Sequence, residues 1–259
     1  MATVNEKMTA IADAIRDKTG GSEALTLDDM ASGVNEVYEA GKQAEYDEFW
    51  DSYQNNGNRK KYEFAFAGNG WNPTNFKPKH PIKPTSARMM FYLAENLVGE
   101  IEPIIGIDFS ECTEFVQAFQ NLGVSRLGVL DLRKAEGASG IFTNLHNIET
   151  IDKVKVGENL PAGFGLTNST KLKNLIMEGV MPQNVNAPNA PFTLESLKSI
   201  ITCLKDFAED TTNHYKRTVT FKTSAFDVLE AEGETAEYNG TACTWAELID
   251  NKKWNLVKA

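Results

Sequence analysis

The sequence predicts a mixed α/β chain, with a helical, coiled-coil-like segment over residues 1–56 and a strand and Pro-rich cap over 57–103. A short solenoid of strand-bearing units over 104–182 and an α/β closing unit over 183–259 complete it. Three observations predict this class. Apolar residues near the start recur at spacings of 4, 3 and 4, an apolar triplet recurs in the middle at offsets of 23 and 24, and helix caps and two-residue alternation return near the end.

Composition sets the bounds. A chain of 259 residues, 41% hydrophobic and 24% charged, can bury the core of one large or two modest domains. Its net charge of −10 repels phosphate backbones and anionic lipid, so neither nucleic acid nor a membrane is expected as partner. Residues 1–56 hold twelve Asp and Glu against four Lys and Arg, which sets them apart from the nearly balanced remainder. Glu6, Lys7, Asp13, Arg16 and Asp17 interrupt every apolar stretch that could form the core of a signal peptide, so the product is expected to stay in the cytoplasm or leave by lysis. Cys112, Cys203 and Cys243 stand far apart without a CxxC pair, which offers neither a zinc site nor a disulfide framework.

The helical segment comes first. Thr3 and Glu6 have capping-box spacing, and Val4, Met8, Ile11 and Ile15 follow in the rhythm of a narrow helical seam that Gly20 and Gly21 end. A second start at Thr26 and Asp29 leads into Met30, Val34 and Val37 on one stripe. So thin a seam cannot be buried by a lone helix. Two solutions stand open: a hairpin packed within the chain, or a bundle between copies, with a trimer as the favoured homo-oligomer.

Asn55–Lys61 forms a turn-rich basic boundary, after which Tyr62, Phe64 and Phe66 alternate with Glu63 and Ala65 as a strand would. Four prolines between Trp71 and Thr85 predict an extended surface connection. Trp71 and Phe76 within it either pin the loop to the core or stack on a sugar ring or partner side chain.

The triplets are Ile104, Ile107 and Phe109, then Leu127, Leu130 and Leu132, then Ile151, Val154 and Val156, with a less regular fourth copy around Leu175. Phe119, Phe142 and Phe164 mark the return segments at spacings of 23 and 22. An Ala-Phe-Gln-Asn marker some eight residues before an L-x-x-L-x-L triplet resembles the leucine-rich repeats of bacterial surface antigens, called BspA-like. The resemblance implies stacked units whose strand residues between the apolar positions face outward. Asp108, Asp131 and Lys155 would then share an outward column beside Arg133 and Lys153, and these residues, with Trp71 and Phe76, are the candidate ligand contacts. Catalytic patterns are absent: His80, His146 and His214 form no HExxH or HxH, and no GxSxG, GxGxxG or P-loop occurs. No enzyme activity, metal or cofactor is expected.

In the closing unit, Thr193 caps a helix bearing Leu194, Leu197, Ile201 and Leu204, Thr218–Thr223 alternates as a strand, and Thr244 with Glu247 makes a capping box before a last strand at Trp254–Val257. Met-Thr-Ala-Ile-Ala-Asp-Ala-Ile-Arg-Asp-Lys-Thr-Gly (8–20), followed by Leu-Thr-Leu-Asp-Asp-Met-Ala (25–31), resembles the leading segment of tail-associated structural proteins of phages and prophages. That resemblance implies a virion component of the tail or baseplate, with helices for assembly with other tail proteins and a displayed module that binds a bacterial surface glycan or protein. The alternative is a cell-surface or secreted leucine-rich-repeat adhesin, or a protein-interaction module.

Overall fold

In the computed structural model, which describes residues 4–19, 60–78, 81–161, 164–210 and 217–259, the chain divides into two units, Met1–Asn56 and Gly57–Ala259. The first unit contains helix α1 (Val4–Thr19). Ala12 and Ile15 are buried, whereas Ile11 is 44% exposed, so the buried face does not follow the predicted seam through Ile11. Arg16 pairs with Asp13 one turn away. Met30, Val34 and Val37, together with the side chains of Val4 and Met8, lie outside the described residues.

In the second unit a one-turn helix α2 (Glu102–Ile105) precedes strands β1 (Arg126–Asp131), β2 (Thr150–Val156), β3 (Asn174–Gly179) and β4 (Val185–Ala187). Helix α3 (Leu194–Cys203), strand β5 (Arg217–Phe221) and helix α4 (Thr223–Ala231) follow. The hairpin β6 (Ala236–Tyr238) and β7 (Thr241–Cys243), helix α5 (Trp245–Asn251) and strand β8 (Trp254–Lys258) complete it. Strands β1-β2-β3 form one parallel sheet, β4-β5-β8 a second, and β6-β7 a two-stranded antiparallel pair.

This corrects the expected architecture of a coiled-coil-like segment followed by a leucine-rich-repeat-like solenoid and its cap. The described residues form a mixed α/β structure of three small sheets and five helices instead. Two local causes are visible. Pro103 sits at the start of α2, where its fixed φ favours a helical turn, so Ile104 enters a helix rather than a strand. Phe64 adopts φ +57°, outside the extended region, so Tyr62–Phe66 is a run of turns in which Phe64 points out at 55% exposure while Tyr62 and Phe66 are buried.

These turns stack. Segment 62–68 donates four backbone N–H groups to the carbonyls of Ser86, Arg88, Met90 and Tyr92. Segment 87–93 donates four to Glu114, Val116, Ala118 and Gln120, and segment 115–121 four to Gly137, Ser139, Ile141 and Thr143. Left-handed residues recur at matching places: Phe64, Met89, Gln117 and Gly140 in one column, Gly68, Leu93, Asn121 and Asn144 in another. Asn pays least for this conformation among residues with a side chain. Between the columns runs a stack of buried rings: Phe66, Phe91, Phe119, Phe142 and Phe164, with neighbouring centroids 5.2–6.4 Å apart. The Phe91–Phe119 and Phe119–Phe142 pairs are nearly parallel, at 16° and 13°.

The free edge of β3 is closed by side chains. Leu175 N–H donates to Ser196 Oγ and Met177 N–H to Ser199 Oγ, both at 2.9 Å, and Ser196 Oγ donates in turn to Lys173 O at 3.1 Å. Helix α3 thereby satisfies an edge that would otherwise invite another strand. Thr193 accepts from Ser196 N–H as its N-cap, and Thr244 with Glu247 makes the full capping box of α5. The Lys252 ammonium donates to the carbonyls of Thr202 and Leu204 at 2.7 and 2.9 Å, at the end of α3. Burial pushes its pKa below the ordinary lysine value.

Candidate functional site

The outer face of β1-β2-β3 gathers most of the predicted contact residues. Parallel register sets Asp131 opposite Lys155 and Lys155 opposite Glu178, while Val129 stands opposite Lys153. A register shift between Ile151 and Val154 puts two β2 residues, Asp152 and Lys153, against the single Ile176, which is the geometry of a bulge. The two bulged residues reach to opposite strands. Arg126 donates to Asp152 through Nε at 2.8 Å and through a terminal nitrogen at 3.1 Å, and also reaches Glu100 at 3.4 Å. Lys153 Nζ donates to Glu178 at 2.9 Å.

Asp131 and Arg133 form the tightest pair, with guanidinium-to-carboxylate distances of 2.9 and 2.6 Å and a further bond of 3.2 Å from Arg133 N–H to the same carboxylate. Asp131 is only 6% exposed. Burial pushes its pKa up, but the Arg133 side chain and backbone N–H, with Lys155 nearby, outweigh that and leave it below the usual aspartate value. The Lys153 hydrogen bond lowers the Glu178 pKa in the same sense. Among the described residues Lys155 makes no ion pair; it sits in register between Asp131 and Glu178. The face is a mosaic of both signs whose long side chains are already held, and so lose little freedom when a partner is met.

Other predicted residues stand elsewhere. Asp108 lies outside the strands; the Ser110 hydroxyl and backbone N–H, then Lys83 at 3.2 Å, hold its carboxyl below the usual range. Phe76 is 1% exposed, packed edge-on against Phe66 at 5.1 Å and Trp71 at 6.0 Å. It is a core residue, which corrects its place among the ligand contacts. Trp71 is half-buried over Phe66 and Phe76. Arg126, Asp152, Glu178 and Glu100 complete the charged face and were missed in the sequence: Asp152, between Ile151 and Val154, is turned outward by the triplet itself, but no spacing reveals its pairing with Arg126 or the reach of Arg126 to Glu100.

Among the described residues no group of His, Cys, Asp and Glu is arranged to hold a metal ion. Cys112 is fully buried, and burial pushes its thiol up to about 12, far from a reactive thiolate. No helix among the described residues is long and apolar enough to cross a membrane. No protein family's sequence model, no curated protein and no solved structure matches the chain.

Proposed function

We propose that this protein is a non-enzymatic structural component of a phage tail or baseplate that contacts the host surface through the outer face of β1-β2-β3. The observation that carries the reading is the fixed mosaic of that face, in which Arg126, Asp131, Arg133, Lys153 and Glu178 are all held in ion pairs on one small sheet. A surface of alternating sign, held in advance, suits a zwitterionic glycan or a protein loop better than a polyanion. The resemblance of residues 8–31 to the leading segment of tail-associated proteins supports the virion setting. It also supports self-association through residues 1–53, with a trimer favoured and other tail proteins as further partners.

The test is the double substitution Asp131→Ala with Arg133→Ala, assayed for binding to host cells alongside a melting curve. Removing both partners avoids leaving a buried carboxylate unpaired. A folded double variant should bind cells more weakly; undiminished binding refutes this face as the contact. Light scattering on the full-length chain tests the assembly reading, and a monomer at micromolar concentration refutes it.

A further inference from the structure

Among the described residues, the hand-over of hydrogen bonds that links the stacked turns is not continued from residues 138–144. Each preceding turn donates four N–H groups to the next, yet among the described residues no backbone carbonyl accepts from Phe142 N–H or Asn144 N–H. The following segment, 164–168, resumes the hand-over in the same sense, Leu166 N–H donating to Asn186 O at 2.7 Å. Where the ladder opens there is a cleft of about 310 Å³, which falls in the range of small-ligand sites. Asn168 Nδ2 donates to Asn144 Oδ1 at 2.6 Å and bridges its walls.

The lining holds no ionisable side chain among the described residues. Its polar groups are amides and hydroxyls that keep both kinds of hydrogen-bonding capacity. Asn184 Oδ1 accepts from Thr218 N–H at 2.9 Å; a backbone N–H can only donate, so the orientation of this amide is fixed and its NH₂ remains to donate. Asn186 donates to Thr167 Oγ1 at 3.3 Å, which leaves its own carbonyl to accept. The Asn144–Asn168 pair likewise leaves one NH₂ and one carbonyl. Phe164, 2% exposed, closes the floor of the cleft, and a Cβ added at Gly165 would meet only Thr167 Oγ1, at 4.0 Å.

Donors and acceptors in mixture, without charge, complement the hydroxyls of a sugar ring. An ionised ligand would lose its hydration here with no opposite charge to offset the loss. We propose that this cleft binds a neutral saccharide. The cleft shares no residue with the charged face of β1-β2-β3, so either assignment stands or falls without the other.

The test uses the full-length chain, calorimetry and saturation-transfer NMR, with lactose, maltose and N,N′-diacetylchitobiose as probes and glucuronate and a neutral tripeptide for comparison. At least one neutral sugar should bind saturably below about 10 mM, with an affinity unchanged when salt is raised about tenfold. Gly165→Leu, which fills the cleft, should weaken that binding by about tenfold or more with the melting midpoint retained. Asn168→Ala serves as the second variant should Gly165→Leu not fold, and Asp131→Ala with Arg133→Ala should leave sugar binding intact. The proposal is overturned by no neutral-sugar binding up to that concentration, by binding that neither cleft variant weakens, or by tighter binding of glucuronate or the tripeptide.

Discussion

Substituting Ser196 by Ala should destabilise the second unit by about 2 kcal/mol, because one hydroxyl finishes the edge of a parallel sheet. Ser196 is fully buried. Its oxygen accepts from Leu175 N–H at 2.9 Å and donates to Lys173 O at 3.1 Å. Without it the buried Leu175 N–H has no acceptor, which costs about 1–3 kcal/mol. The better helix propensity of Ala returns a few tenths, roughly 0.5 kcal/mol at most. Ser199 plays the same part toward Met177 from a half-buried position, where water can replace a lost hydroxyl, so Ser199→Ala should cost about 1 kcal/mol or less. Urea denaturation followed by tryptophan fluorescence measures both, and the slope m should not change. A Ser196→Ala variant within about 0.3 kcal/mol of the parent, or one less damaging than Ser199→Ala, refutes the argument.

Three further outcomes are expected. Phe119→Ala, which removes the ring between Phe91 and Phe142, should lower stability by about 3–5 kcal/mol in the same denaturation assay. At Gly128 a Cβ would fall 1.9 Å from Ile105 O and 2.9 Å from Ile105 C, so Gly128→Ala should cost about 3 kcal/mol or prevent folding, read as lost soluble yield or a lowered midpoint. The Asp131 carboxyl titrates lower in the folded chain than its ordinary value, so its stabilising contribution is complete above about pH 4 and fades as pH falls through the folded value. Melting curves from neutral pH downward should therefore show Asp131→Asn less stable than the parent at neutral pH and converging with it in acid; a constant gap contradicts the assignment.

How much of this was legible in the sequence varies with how local the signal is. The caps at Thr193 and at Thr244 with Glu247 depend on three-residue spacings that any chain displays openly. Phe119, Phe142 and Phe164 stood out by their even spacing, whereas Phe66 and Phe91 join the same ring stack at separations of 25 and 28 residues that a search for a fixed period passes over. The strand expected at Tyr62–Phe66 failed because alternating aromatics also fit stacked turns, and only the backbone dihedral at Phe64 separates the two. In the charged face, Asp131 and Arg133 were readable as near neighbours. The Arg126–Asp152 and Lys153–Glu178 pairs follow from a register shift in β2, which leaves no mark in residue type. Asp131 itself lies buried between buried Leu130 and Leu132, where strict alternation would have turned it to solvent.

The stacked turns also have an electrical direction. While flanking bonds such as Thr113 N–H to Thr85 O run the opposite way, the peptide groups that carry the hand-over bonds are oriented alike, Val116 O accepting from Met89 N–H behind it and Gln117 N–H donating to Ser139 O ahead. Peptide dipoles of about 3.5 D aligned in this way add as they do along a helix axis. The columns of hand-over bonds are thus polarised, with carbonyls toward 62–68 and N–H groups toward 138–144, without a formal charge at either end of the bonds. Oxygen lone pairs are drawn to the pole at Phe142 and Asn144, and polar hydrogens or cations to the opposite one. Because peptide groups do not titrate, this bias is the same at every pH at which the fold persists.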